Sequence, residues 1–331
     1  MFTVSSSFEA IVFCMITMIG WGSWANTQKL AGKEHWPFEL YYWDYAIGVA
    51  VAGLLFMATL GNLGSSGMGA FANLQSASFG SIWAALASGM LFNIANILLV
   101  VAIDAAGLSL AFPVGVGLAL VIGTIASYHQ SPKGSGSLLA GGVLLVVLAM
   151  IVSALASRRV QGAERTRNTK GVLFAAAAGC LMGFFYPQLM RAISPDFNSA
   201  PIQAGRLTPY TALLFFGIGL LLSNFVVNTW FMRSQKSTFA QYTAARPRLH
   251  LLGILGGAIW MTALTTNVIA SGVAGPAVSY ALGQGATLVA ALWGVFVWRE
   301  FRGAPAGTIP LVAFMLAGYA AGLILIGRAI L

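Results

Sequence analysis

Charge is what this sequence has least of. Only 8% of its 331 residues are Asp, Glu, Lys or Arg, where an ordinary soluble domain carries about a quarter. With 58% hydrophobic residues alongside, that scarcity excludes a soluble globular domain and indicates a polytopic membrane protein. Cysteine is nearly absent too. Cys14 and Cys180 both lie in apolar segments, where they read as packing residues and supply neither a disulfide framework nor a metal site. The three histidines, His35, His129 and His250, fall at segment ends without a zinc-type pairing. There is no Walker lysine loop and no Gly-x-Ser-x-Gly elbow, so an ATP-driven pump or a membrane hydrolase has no support and no cofactor is expected. The few charges within apolar segments argue against an ion channel lined by acidic rings. Met1–Ser7 carry no basic residue and the first apolar segment is span-length, so no secretory signal peptide is expected.

What is present is a series of ten apolar runs, at about 8–30, 38–60, 80–103, 107–128, 136–156, 171–191, 208–232, 249–271, 274–298 and 306–329. Each is long enough for one bilayer crossing as a helix. Runs three and four, and eight and nine, are separated by so few residues that each pair predicts a tight hairpin. The fold expected is therefore an all-α membrane protein of ten transmembrane helices.

The net charge of +9 is not a nucleic-acid signal, because the basic residues sit in alternate loops and no base-stacking platform accompanies them. The loops after odd-numbered spans hold Lys29, Lys33, Arg158, Arg159, Arg165, Arg167, Lys170, Arg233, Lys236, Arg246, Arg248, Arg299 and Arg302. The other face holds Lys133, Arg191, Arg206 and Arg328. By the positive-inside rule the first face is cytoplasmic and both termini lie outside, in a plasma or inner membrane.

The polar, basic segment Ser157–Lys170 is the one clear linker. It divides the chain into 1–156 and 171–331, five spans each. A shift of 168 positions superposes Gly107 on Gly275, Phe112 on Tyr280, Gly115-Val-Gly117 on Gly283-Gln284-Gly285, Gly89 on Gly257 and Phe92 on Trp260. A shift of 161 brings Gly22 to Gly183 and Trp24 to Phe185. Because five is odd, two such halves enter the membrane in opposite senses, the inverted repeat of alternating-access transporters, with the solute near the repeat interface.

The candidate site follows from polar groups placed at membrane depth, where they are costly unless they face protein or water. The stretch Gly20–Lys29 is read as the end of one long helix, with Ser23, Asn26 and Thr27 on one face and Trp24 and Gln28 beside them. Span three offers Asn93 and Asn96, span six Gln188, and span seven Asn224 and Asn228 at i,i+4. Spans eight and nine add Trp260, Tyr280 and Gln284. Amides and aromatic rings together suit a small neutral polar solute. Asp44, about 9 Å inside span two by helical rise, is the only acid well within a span and the candidate proton-coupling group. The alternative for Asp44 is a structural acid bonded to Tyr or Trp near the interface. Asp104 is read as a cap for span four, and the uncharged loop Gly61–Phe79 as a flexible connector.

These features resemble the drug/metabolite transporter superfamily, and within it the ureide permeases known from plants and their bacterial relatives. The resemblance rests on Gly22-Ser-Trp24, Tyr42-Trp-Asp44-Tyr45 and Asn96 in the first half. In the second half it rests on Tyr210-Thr-Ala212, Gln284, and Trp293-Gly294 followed by Glu300-Phe-Arg302. The bacterial glucose/ribose uptake family is a more distant likeness. The chain departs from the plant pattern in its short central linker and in Ala281, where an acid is expected. The resemblance implies proton-coupled uptake of a ureide, nucleobase or nucleoside by a permease and not by an enzyme. Monosaccharide uptake and export of drugs or metabolites use similar chemistry and are the alternatives; a non-transporting scaffold is a third. Oligomeric state is left open by the sequence.

Overall fold

The computed structural model describes residues 1–161, 169–199 and 201–330. Ten helices are long and apolar enough to cross a membrane: Ser7–Lys33, Phe38–Ala58, Phe79–Ala106, Leu110–Gln130, Gly136–Val160, Thr169–Ala192, Pro209–Ser234, Pro247–Ala274, Pro276–Val297 and Thr308–Arg328. They are spans one to ten here, and they coincide with the ten apolar runs to within a few residues. No strand occurs among the described residues; the one bridge pairs Ile193 with Leu207. Of the linker Ser157–Lys170, the flanking helices take residues up to Gln161 and from Thr169, and 162–168 lie outside the described residues.

The helix ends follow from local chemistry. Ser6 and Glu9 form a reciprocal capping box at the start of span one, satisfying two donors that helix geometry leaves unpaired. Proline opens spans seven, eight and nine, where its missing N–H costs nothing. The two tight hairpins each turn on one glycine: Gly107 has φ 81°, ψ 153°, and Gly275 has φ 83°, ψ 150°. That backbone region is open essentially to glycine alone.

Span three lies against spans six and seven, and span eight against spans one and two; span four packs on six, nine on one, and five on ten. Glycines set the closest crossings. Gly89 meets the Phe216 carbonyl and Gly219 that of Leu86; Gly257 meets the Tyr45 carbonyl and Gly48 that of Ile254. An added methyl would strike backbone at all four, so the helices approach as only small residues allow.

One local expectation is corrected. The Gly61–Phe79 loop is not simply a connector: it contains a short helix, Ala70–Ser76. Within that helix the buried Asn73 donates to the Arg206 carbonyl (2.9 Å) and accepts from the Thr208 amide (2.8 Å). Gly107 occupies the N-cap of span four. Span one continues through the Gly20–Lys29 stretch with a single turn residue, Trp24 (φ −55°, ψ −37°), between Ser7–Ser23 and Ala25–Lys33; its N–H stays on the Gly20 carbonyl (3.1 Å). Span nine is interrupted. It runs Pro276–Gly283, breaks at Gln284-Gly285, resumes at Ala286–Leu292 and ends in a π-helical turn, Trp293–Val297.

Candidate functional site: a central aromatic assembly beside a broken helix

The centre of the molecule is built around Trp260 of span eight, 5% exposed. Its ring lies 4.3 Å from Phe92, 5.7 Å from Phe216, 6.0 Å from Trp21, 6.4 Å from Tyr45 and 6.5 Å from Phe185, centroid to centroid. Trp24 extends the group through Tyr45 (5.0 Å), and Tyr280 joins it through Tyr186 and Phe185 (5.0 and 6.4 Å). Spans one, two, three, six, seven, eight and nine thus each contribute a ring. Such tilted and offset contacts favour aromatic cohesion, and their flat faces also suit a planar solute.

Polar groups rim this assembly. Asn96 donates to the Tyr42 hydroxyl (3.1 Å), and Tyr42 stacks on Tyr45 at 5.1 Å. Asn267 donates to the Ser279 carbonyl (2.7 Å), and the Ser279 and Tyr186 hydroxyls share a hydrogen bond (3.1 Å). The Trp21 indole N–H, the Tyr45 hydroxyl and the Asn267 amide oxygen are buried without a partner among the described residues. A buried unpaired polar group costs about 1–3 kcal/mol, so each of the three marks a place where a polar ligand gains. A Cβ on Gly283 would meet Asn267, Trp21 and Thr17 together. This crowded, partly unsatisfied spot adjoins the Gln284 break.

Asp44 is 2% exposed and faces the loop between spans seven and eight. The Tyr242 hydroxyl donates to its Oδ1 (2.6 Å), and His250 Nδ1 lies 2.9 Å from Oδ2. Trp36 packs on both partners, 6.4 Å from Tyr242 and 5.9 Å from His250. Tyr242 lies in the short helix Phe239–Thr243, outside the spans. Burial, then its bond to Asp44, holds the phenol above its ordinary pKa, so it remains a donor at neutral pH. A second cluster, at the Lys29 end of span one, joins spans one and nine. Trp293 Nε1 donates to Ser23 Oγ (2.9 Å), Trp298 Nε1 donates to Asn26 Oδ1 (2.6 Å), and Lys29 pairs with Glu300 (2.6 Å).

Of the residues expected to meet the solute, Trp24, Asn96, Trp260 and Tyr280 come together in the central assembly, and Gln284 sits at the break beside it. The others lie elsewhere. Asn26 is taken by Trp298, and Gln28 is half-buried one turn below Trp24. Asn93 donates to Ser223 (2.9 Å), whereas its neighbour Asn96 turns to span two. Asn228 donates to the Glu39 carbonyl (2.9 Å), and Asn224 is buried with neither amide atom partnered among the described residues. Gln188 borders cavities at the opposite end from Asp44. Sequence reasoning passed over Trp21, although it stands three residues before Trp24. Tyr242 and His250 carry no sequence signal toward Asp44, which lies 198 and 206 positions away.

Comparison with known proteins fits this geometry. The family model described as Ureide permease matches residues 152–328, more than half of the chain. Ureide permease 1 of Arabidopsis thaliana is 21% identical over 377 residues, covering 96% of this chain and 95% of that protein. A protein of known crystal structure has the same fold at a TM-score of 0.60 and 17% identity, covering 98% and 99% of the two chains. The match spans the second half, from the end of span five through the broken span nine and its Trp293-Gly294…Glu300-Phe-Arg302 ending. On that match this multi-pass, all-helical chain belongs to the ureide permease family.

Proposed function

We propose that this protein is a permease for a small, neutral, planar polar solute of the ureide, nucleobase or nucleoside class. The solute sits against Trp260, between Trp21, Tyr45 and Asn267. The observation that carries the reading is the coincidence of unpaired buried donors and an amide oxygen with an aromatic wall, beside the Gln284 helix break. A ureido or lactam edge presents both a carbonyl and an N–H, which matches donors on Trp21 and Tyr45 and the acceptor on Asn267. In this conformation the rings touch one another, so the solute is admitted by parting Trp260 from Phe92.

Alternating access between two inverted five-span halves, as in the drug/metabolite transporter superfamily, is the mechanism of this reading. It is supported by the equal backbone angles at Gly107 and Gly275, and by the paired crossings of Gly89 with Gly257 and Gly48 with Gly219. Discontinuous helices at the midplane are where such carriers hold their solutes. Uptake is driven by protons, with Asp44 as the coupling group in a plasma-membrane protein whose termini face outward. The Asp44–His250 contact supports this role, because it sets the carboxylate beside a second group able to carry a proton.

The test is a thermal-shift screen of the purified chain over nucleobases, nucleosides, ureides and sugars, followed by uptake into proteoliposomes. A heterocycle should stabilise the protein, and Trp260→Ala and Asn96→Ala should weaken that response. Stabilisation by sugars alone, or by heterocycles equally in both variants, would overturn the assignment.

A further inference from the structure

The last turns of span four separate two apolar clefts. Toward span five lies one of about 480 Å³, walled by Val121, Ile125, Leu139, Val143, Leu144 and Val147. Toward spans three and six lies another of about 500 Å³, walled by Ala87, Leu91, Ala126 and Phe184, with Gln188 and Arg191 also on its border. His129 borders both clefts. Ile125 stands one helical turn below it, and both side chains are exposed, so together they make a ridge between the clefts. The first cleft runs about 12 Å along span four, from Val121 to His129, at the rise of an α-helix. Ile125 and Leu144 open it to the surrounding bilayer.

Where the clefts end, the chain is basic. A cavity of about 400 Å³ is bordered by Gln130, Ser131, Lys133, Arg191 and Arg206, with Asp196 as the acid on its rim. Gln130 and Arg191 border the second cleft as well, so the two spaces share a wall. Oriented so that both amide atoms are partnered, Gln130 donates to the Pro187 carbonyl (3.1 Å) and accepts from Arg191 Nε (3.1 Å). That bond ties Arg191 to the end of span four. Lys133 gives one of its three N–H donors to the Gly272 carbonyl (3.0 Å). Arg206 stands two residues before Thr208, the N-cap of span seven, where the helix dipole disfavours a cation. The ion pairs among the described residues are Lys29–Glu300, Arg248–Glu34 and His250–Asp44, so no acid pairs with these three cations. Arg191 is in the last turn of span six and Lys133 lies just past span four. Span ends stand at the level of lipid headgroups, with the clefts at acyl depth.

We propose that an anionic diacyl phospholipid sits astride the end of span four, with one acyl chain in each cleft and its phosphate among Arg191, Lys133 and Arg206. Two apolar clefts on either side of one ridge match two chains leaving one glycerol. A single-chain amphiphile fills one of them, and a free phosphate ion fills neither. Guanidinium and ammonium groups without a carboxylate partner favour an anionic head, whereas a zwitterionic head brings its own cation against them. The seat draws on spans three, four, five and six and on the segment leading into span seven. A lipid held there braces the molecule across the midpoint of the chain.

Native mass spectrometry of the full chain in neutral detergent, titrated with lipid, counts the bound molecules and gives their affinity. Dioleoylphosphatidylglycerol should bind at one tight site, at least tenfold more tightly than dioleoylphosphatidylcholine and at least fivefold more tightly than lysophosphatidylglycerol. Arg191→Gln and Lys133→Gln should each weaken phosphatidylglycerol at least fivefold and phosphatidylcholine less than twofold. Lys133→Gln still offers a donor to the Gly272 carbonyl, and Lys133→Arg, which keeps the charge, should stay within twofold of the native chain. Ala87→Phe and Ala140→Phe each fill one cleft. Each should weaken the diacyl lipid at least fivefold and the lysolipid less than threefold, a distinction that misfolding does not produce. The proposal is overturned if phosphatidylglycerol and phosphatidylcholine bind alike, or if the lysolipid binds as tightly as the diacyl form. It is also overturned if the Gln variants have no effect, if Lys133→Arg loses as much as Lys133→Gln, or if the cleft variants weaken both lipids equally or neither. Displacement of phosphatidylglycerol by glycerol 1-phosphate would reveal a phosphate site without chain seats, and that too would remove it. No transported solute enters the measurement, so its outcome is separate from that of the permease reading.

Discussion

At the scale of single residues, the unpaired groups beside Trp260 decide the most. Trp21→Phe keeps an aromatic ring and deletes one orphaned N–H, so the free protein loses nothing it was using. If that N–H meets the solute, the variant should bind about tenfold more weakly, close to 1.4 kcal/mol, with an unchanged melting temperature; fluorescence titration beside a thermal melt reads both. Asp44→Asn keeps the shape of the side chain and removes its titration. Accumulation against a gradient should then be lost while solute exchange at equal concentrations persists, as paired uptake and counterflow assays would show. Tyr242 gives a complementary pH expectation. Its pKa is raised in the fold by burial and by Asp44. The stability it contributes is therefore complete below the ordinary tyrosine value of about 10 and is lost only as pH rises beyond it. Tyr242→Phe removes the hydrogen bond to Asp44, so it should lower the maximal uptake rate and also displace the uptake–pH profile.

At the scale of elements, the hairpin glycines and the interrupted helix carry the argument. Alanine at Gly107 or Gly275 must adopt a backbone conformation reserved for glycine, so each variant should lose about 1–3 kcal/mol, measured by thermal melting in detergent. At Gly275 the new methyl would also press on the Lys133 side chain. These two glycines were legible in the sequence as aligned positions, as were the ten spans, because hydrophobic length and glycine punctuation are local signals. The break at Gln284 was not, since Gly283 and Gly285 figured there only as aligned positions. Polar faces were legible and their partners were not: Asn93 and Asn96 are three residues apart, yet one serves span seven and the other span two. A helical wheel gives direction around an axis, but it does not tell which neighbour stands there.

At the scale of the whole molecule, the asymmetry of basic residues makes one clear expectation. In a background lacking Cys14 and Cys180, a cysteine at exposed Gln235 should react with an impermeant thiol reagent only after intact cells are permeabilised. One at exposed Ser199 should react without permeabilisation, and the opposite pattern would invert the topology. The bonds joining spans one and nine at the Lys29 end bear on how the molecule opens. In the alternating-access reading proposed above, opening the molecule there separates Trp293 from Ser23 and Trp298 from Asn26. At about 1 kcal/mol for each hydrogen bond, the pair biases the equilibrium toward the closed form by about thirtyfold. Trp298→Phe should then shift it several-fold toward the open form with no solute present. Each such opening moves both indoles into water, so the red shift of tryptophan emission would count the molecules open at that end.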